Sequence, residues 1–184
     1  MRKEIKIGGF GGQGVVLSAH IIGKAASIFA DKYSTMIQSF GPEARGSSCS
    51  AQVIISDEPV AYPYVTKPEI LVVMSQEAYT KFLPELSDNG ILITESDLIQ
   101  IDNKIKPTIK HFSIPSTRIA EELGRKLILN IVMVGFFTAV TNILDKDSVY
   151  KSVESSVPKG TEILNLNAFS KGYEYGIEFL KDLR

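Results

Sequence analysis

Four glycines within six residues, Gly9-Phe10-Gly11-Gly12-Gln13-Gly14, separate a short strand-like run, Ile5–Gly8, from a segment of helical period, Val15 to Ala30. Glycine alone enters left-handed backbone at little cost, so it suits a tight strand-to-helix turn. The pattern G-x-G-x-x-G directly after a strand and opening a helix commits the N-terminus to a β–turn–α unit, and with it the chain to an α/β fold. Such a turn also brings backbone N–H groups close to an anion at the helix N-terminus. A nucleotide site and a purely structural role in packing the first helix on the sheet both fit. The dinucleotide fingerprint asks for an acid roughly 20 residues on, closing the second strand. Asp31 has about that separation but precedes the second strand-like run, Tyr33–Gln38. Gln13 is unusual at such a turn, and its amide can donate to a phosphate or accept from a neighbouring chain.

The remaining punctuation extends the same alternation. Ala51–Ser56 and Glu69–Met74 are β-branched runs of buried-strand type, separated by the turn signal Asp57-Glu58-Pro59. Ser75 to Leu86 is helical, with Ser75 as N-cap. Asp88-Asn89-Gly90 turns into Ile91–Thr94, and Ile109–Ile114 is a further strand. From Pro115 onward the period is helical: Ser116–Leu123, Leu127–Leu144, Lys146–Ser155 and Ala168–Leu183. The expected architecture is a mostly parallel sheet covered by helices on both faces, Rossmann-like, with a helix-rich C-terminal third. No long linker or internal repeat divides the chain, so residues 1–184 are expected to form one domain.

Several function classes drop out on composition. A net charge of −1 provides no basic footprint for nucleic acid. One cysteine, Cys49, leaves no internal disulfide and too few thiolates for an iron–sulfur cluster. His20 and His111 lack zinc-site spacing. Cys49 is expected to be buried and inert, His111 a packing residue, and neither histidine a catalytic base. The apolar stretch Leu127 to Leu144 reaches the minimum length of a membrane span. Asn130, Thr138, Thr141 and Asn142 interrupt it, and a buried helix is the expectation. The run Ile5–Ile7 is too short for a signal peptide, which leads to an expected cytoplasmic location.

A second polar loop, Ser39-Phe40-Gly41-Pro42-Glu43-Ala44-Arg45-Gly46-Ser47-Ser48, lies between two strands, on the same expected rim as the glycine turn. Arg45, set among small residues, can clamp a carboxylate or phosphate, or pair with Glu43. Together the segments GFGGQGV, SFGPEARGSS and ISDEPV resemble the γ-subunit domain of pyruvate, 2-oxoglutarate and branched-chain 2-oxoacid:ferredoxin oxidoreductases. Lys67-Pro68-Glu69, the stretch Leu71 to Tyr79, Asn130, and the tail Asn165 to Tyr173 extend the resemblance in order along nearly the whole chain. Phe40 stands where the family often has tyrosine, and Ser47 where it often has glycine.

The resemblance implies a division of labour. Such complexes decarboxylate a 2-oxoacid on thiamine diphosphate with Mg2+, pass electrons through iron–sulfur clusters to ferredoxin, and release an acyl-coenzyme A. This chain would be the γ subunit, joined to α, β and ferredoxin-like subunits, with no catalytic residue or metal ligand of its own. It lacks the GDG…N signature for the thiamine pyrophosphate. Its contribution to the coenzyme A side would come from Gly9, Gly11, Gly12, Gln13 and Gly14, and from Gly41, Pro42, Glu43, Arg45 and Gly46. Details of GPEARG and of VTKPE–SQEAY are most similar to 2-oxoglutarate enzymes. The other reading, from the glycine turn alone, is a free-standing nucleotide-binding module.

Overall fold

The computed structural model describes residues 1–40 and 48–183. Six strands, β1 Arg2–Phe10, β2 Tyr33–Phe40, β3 Ser48–Ser56, β4 Ile70–Val73, β5 Ile91–Glu95 and β6 Lys110–Ile114, form one sheet. Their spatial order is β2-β3-β1-β4-β5-β6. β1, β4, β5 and β6 pair in parallel, whereas β3 runs antiparallel to both β1 and β2. Five strands therefore point one way and β3 opposes them. A parallel return needs a crossover of about a dozen residues or more. The connection 41–47 is shorter than that, so β3 folds back beside β2.

This single reversal matters for the nucleotide reading. In a dinucleotide fold the second strand lies beside the first and carries its acid to the glycine turn. Here β3 is inserted between them, and β2 forms an edge two strand spacings away, roughly 10 Å. Tyr33 and Arg2 are both in register with Ser56. Asp31, two residues before β2, thus lies at the opposite end of the sheet from Gly11–Gly14. The sheet is an α/β sheet of Rossmann-like layering without the dinucleotide half.

Helices cover both faces unequally. α1 Val15–Lys24, whose end widens into a π-helical turn over Ala25–Phe29, packs with α4 Leu129–Thr141 on one face. α2 Gln76–Phe82 and the 3-10 turn Leu83–Glu85 cover the other. Strand alternation sorts the core accordingly: Ile7, Val53 and Val72 point to the α1/α4 side, while Leu71, Val73 and Leu92 meet Tyr79, Phe82 and Leu86. α3 Ser116–Glu122, α5 Lys146–Glu154 and α6 Glu162–Asp182 complete the thicker side.

α4 is buried on every side from Leu129 to Val140, Asn130 and Thr138 included, which meets the expectation of a buried helix. α6 lies close along it: a Cβ at Gly172 would stand 1.9 Å from the Val132 carbonyl oxygen, and one at Gly135 2.1 Å from that of Phe169. α6 begins at Glu162 instead of the expected Ala168. Asn165 Nδ2 donates to Thr161 O at 2.9 Å and to Thr161 Oγ1 at 3.0 Å, securing the first turn. Among the described residues no helix is long and apolar enough to cross a membrane.

Candidate functional site

The carboxyl ends of β1, β4, β5 and β6 form one rim, the place where open α/β sheets bind ligands. β1 delivers the glycine turn to it. Gly9 is still within the strand and buried, and a Cβ there would meet Gln13 Oε1 at 2.7 Å. Gly11 and Gly12 are exposed at the tip. Gly12 has φ 94° and Gly14, the residue preceding α1, φ 75°. Both are left-handed, which explains why glycine stands at these two positions.

Gln13 holds the turn closed. Its Oε1 accepts from Phe10 N at 2.7 Å, and its Nε2 donates to Met74 O at 2.8 Å. Met74 N in turn donates to Gly8 O at 2.9 Å. The amide that the sequence leaves free for a phosphate or a neighbouring chain is thus engaged at both ends inside the chain. It bridges β1 to the residue that follows β4.

A third element seals the turn from below. Asn130, 3% exposed at the start of α4, donates through Nδ2 to Gly14 O at 3.4 Å. A Cβ at Gly14 would lie 2.4 Å from the Asn130 amide, so these two residues occupy one space. Asn130 thereby satisfies a backbone carbonyl of the turn at the rim.

Gly41, Pro42, Glu43, Arg45 and Gly46 lie outside the described residues. The strand ends that flank them reach the same rim, since Phe10 is in register with Ser48, and Gly9 and Phe40 with Cys49. Cys49 is buried, and burial pushes its thiol pKa up, as suits an inert cysteine. His20 is exposed on α1; His111 lies on β6, its Nε2 2.9 Å from Thr94 Oγ1. Ser75 caps α2 as expected, accepting from Ala78 N at 3.2 Å.

Sequence reasoning missed Glu95. At the end of β5 it is fully buried, its carboxylate accepting from Leu98 N at 2.7 Å and Thr117 N at 3.1 Å. It ties the β5 and β6 exits together along the rim. The one local signal is an acid closing the apolar run Ile91-Leu92-Ile93-Thr94.

The sequence has one cysteine, and among the described residues no three His, Cys, Asp or Glu side chains gather as ligands.

Residues 4–175 match the family described as pyruvate ferredoxin/flavodoxin oxidoreductase. The 2-oxoglutarate synthase subunit KorC of Methanocaldococcus jannaschii is 47% identical over 179 residues, covering 97% of this chain and 96% of that protein. The crystal structure of a keto/oxoacid ferredoxin oxidoreductase gamma subunit from Geobacter sulfurreducens has a TM-score of 0.82 at 34% identity, covering 96% of this chain and 99% of that one. A 2-oxoglutarate:ferredoxin oxidoreductase from Magnetococcus marinus shares the fold, with a TM-score of 0.86 at 20% identity over 95% of this chain and 31% of that one. Matched across almost its entire length, with the glycine rim in place, the chain belongs to the pyruvate ferredoxin/flavodoxin oxidoreductase family as a γ subunit of the 2-oxoacid:ferredoxin oxidoreductases.

Proposed function

We propose that residues 1–184 act as one γ-subunit domain of a 2-oxoglutarate:ferredoxin oxidoreductase, completing its coenzyme A side without performing a chemical step. The observation that carries this reading is the 47% identity with a 2-oxoglutarate synthase subunit over nearly the full length of both chains. The complex oxidatively decarboxylates 2-oxoglutarate to an acyl-coenzyme A in the cytoplasm and delivers electrons to ferredoxin. Thiamine diphosphate, Mg2+ and the iron–sulfur clusters belong to the α, β and ferredoxin-like subunits. The lone cysteine of this chain and its lack of clustered ligands among the described residues accord with that assignment. The rim supplies backbone groups of Gly9, Gly11, Gly12 and Gly14, held in place by Gln13. Gly41, Pro42, Glu43, Arg45 and Gly46 are the further coenzyme A residues of this reading, with Arg45 supplying the cation for a carboxylate or phosphate.

The free-standing nucleotide module finds less support, because β3 displaces β2, and with it the acid a dinucleotide fold brings to the glycine turn. The test is reconstitution with the partner chains and assay of 2-oxoglutarate-dependent dye reduction. The isolated chain should show no turnover. Gly12→Ala and Arg45→Ala complexes should assemble normally and show a raised KM for coenzyme A. Turnover of a 2-oxoacid by the isolated chain, or failure of both variants to assemble, would refute this reading.

A further inference from the structure

The sheet treats its two edges differently. β6, at one end, has five residues, carries Lys110 and His111, and its Phe112 packs edge-on against Phe179 of α6. Short length and charge are what keep an edge strand from pairing with other chains. β2, at the other end, has eight residues, Tyr33-Ser34-Thr35-Met36-Ile37-Gln38-Ser39-Phe40, and none is charged, proline or glycine. Its register with β3 runs unbroken from Tyr33 against Ser56 to Phe40 against Cys49, so no bulge turns the edge away. Among the described residues β3 is its only partner strand. The N–H and C=O of every second residue of β2 therefore point away from the sheet.

The helix layer is open beside that edge. Ser34 Oγ donates to Gly23 O at 2.8 Å, which sets the even-numbered side chains of β2 toward α1. Between the two runs a groove of about 440 Å³, to which α1 and its π-helical turn contribute His20, Lys24 and Ile28, and β2 contributes Met36. Ile28 is 65% exposed and Tyr33 50%, and Met36 is only partly buried against the core. A free strand edge beside a groove suits an added strand, whose backbone extends the ladder while alternate side chains fill the groove.

We propose that the added strand is β2 of a second copy of this chain, paired antiparallel across a two-fold axis normal to the sheet and centred on Met36. An incoming strand must itself be uncharged and have a free edge, and β2 meets both conditions. The axis keeps both α1 layers on one face and sets residues of like parity opposite each other. Tyr33 then faces Ser39 of the copy, Ser34 faces Gln38, Thr35 faces Ile37, and Met36 faces its own counterpart beside Ile28. Every pair is neutral, so self-pairing carries none of the like-charge repulsion that a charged edge would bring. The helices leave room. α1 packs chiefly on β3, and β3 and its copy stand three strand spacings apart, roughly 14 Å. That exceeds the roughly 8–10 Å of directly packed helices, and Met36 and Ile28 of both copies fill the interval. The product is one continuous sheet whose remaining edges are the guarded β6 strands.

The test uses the full chain. Sedimentation equilibrium across the micromolar range should give twice the mass of one chain. Met36→Cys should form a disulfide-linked dimer on mild oxidation, since directly opposed residues have Cα atoms about 4.5–5.5 Å apart, within disulfide reach. Gln38→Cys should not: Gln38 faces Ser34 of the copy, so its own counterpart lies four residues along the ladder, roughly 13 Å away. Cys49 is buried and stays out of both reactions. Met36→Lys sets two like charges at the axis and should shift the equilibrium to monomer with an unchanged circular dichroism spectrum. A monomeric wild-type chain overturns the proposal, as does a dimer that survives Met36→Lys, or one that cross-links through Gln38→Cys and not through Met36→Cys. In the reconstituted oxidoreductase Met36→Cys should again cross-link to itself; a cross-link to a different chain would overturn the second copy in favour of a partner subunit's strand. The measurements on the isolated chain need no partner, so they are decided separately from the role in the oxidoreductase.

Discussion

Replacing Gly14 by alanine tests how the glycine turn is built. Two costs follow from the geometry. At φ 75° an L-residue is strained by about 1–2 kcal/mol. The new Cβ would also lie 2.4 Å from the Asn130 amide, where ordinary contact begins at 3.4 Å, so about 1.0 Å must be made up by a buried side chain. Moving Asn130 breaks its bond to Gly14 O and leaves polar groups unpaired, a further cost of about 1–3 kcal/mol. The expected loss is therefore about 2–5 kcal/mol. Gly12→Ala is the control: φ is 94°, but nothing lies within 4 Å of the added methyl, so only the backbone cost of about 1–2 kcal/mol applies. Urea unfolding followed by circular dichroism gives both values from the midpoint and slope. A double-mutant cycle of Gly14→Ala with Asn130→Gly, which also removes the Asn130 Cβ 2.8 Å away, isolates the steric part, and the double variant should lose clearly less than the sum of the singles. Equal losses at Gly12 and Gly14, or no coupling to Asn130, would refute the claim that Gly14 is glycine because Asn130 fills its space.

The helix pair α4/α6 predicts a similar contrast. Gly172→Ala gains about 1 kcal/mol of helix propensity but forces a methyl to 1.9 Å from Val132 O, and it should destabilise by about 1–3 kcal/mol. Gly23→Ala in α1, with its nearest atoms at 3.6 and 3.8 Å, should keep the propensity gain and raise the urea midpoint; shifts of the same sign in both variants would contradict the packing described. His111 predicts a pH dependence. Burial holds its pKa below the ordinary value of 6.5, so the unfolded chain takes up the proton first as pH falls. Stability from this group is present above about pH 6.5 and declines below it, toward the depressed folded pKa. His111→Asn should flatten the fall of the urea midpoint across that window, and an unchanged slope would show that other groups cause it.

Local backbone chemistry was legible in the amino-acid order. Glycines mark the β1–α1 turn, Ser75 the start of α2, and Asp88-Asn89-Gly90 the entry to β5, because caps and turns are decided by residues a few positions apart. The apolar run of α4, despite Asn130 and Thr138 within it, likewise announced its burial on all sides. The family segments, ordered along the chain, carried the γ-subunit assignment.

What depended on partners far away in the chain was settled by tertiary structure alone. The reversal of β3, which moves β2 to the edge, follows from pairing geometry and the short 41–47 connection, and no side-chain pattern signals it. Gln13 stands two residues from Gly11, yet its role is set by Met74, 61 positions on. Glu95 reads as an ordinary surface acid until the exits of β5 and β6 enclose it. Asn130 and Asn165 share a cavity only because α4 and α6 lie against each other along glycines. The sequence by itself determined the elements, their order and the family; the fold decided which of its polar groups are spent on holding the rim together. Hydrogen bonds and burial belong to atoms brought together in space, whereas turns and periodicity belong to neighbours along the chain.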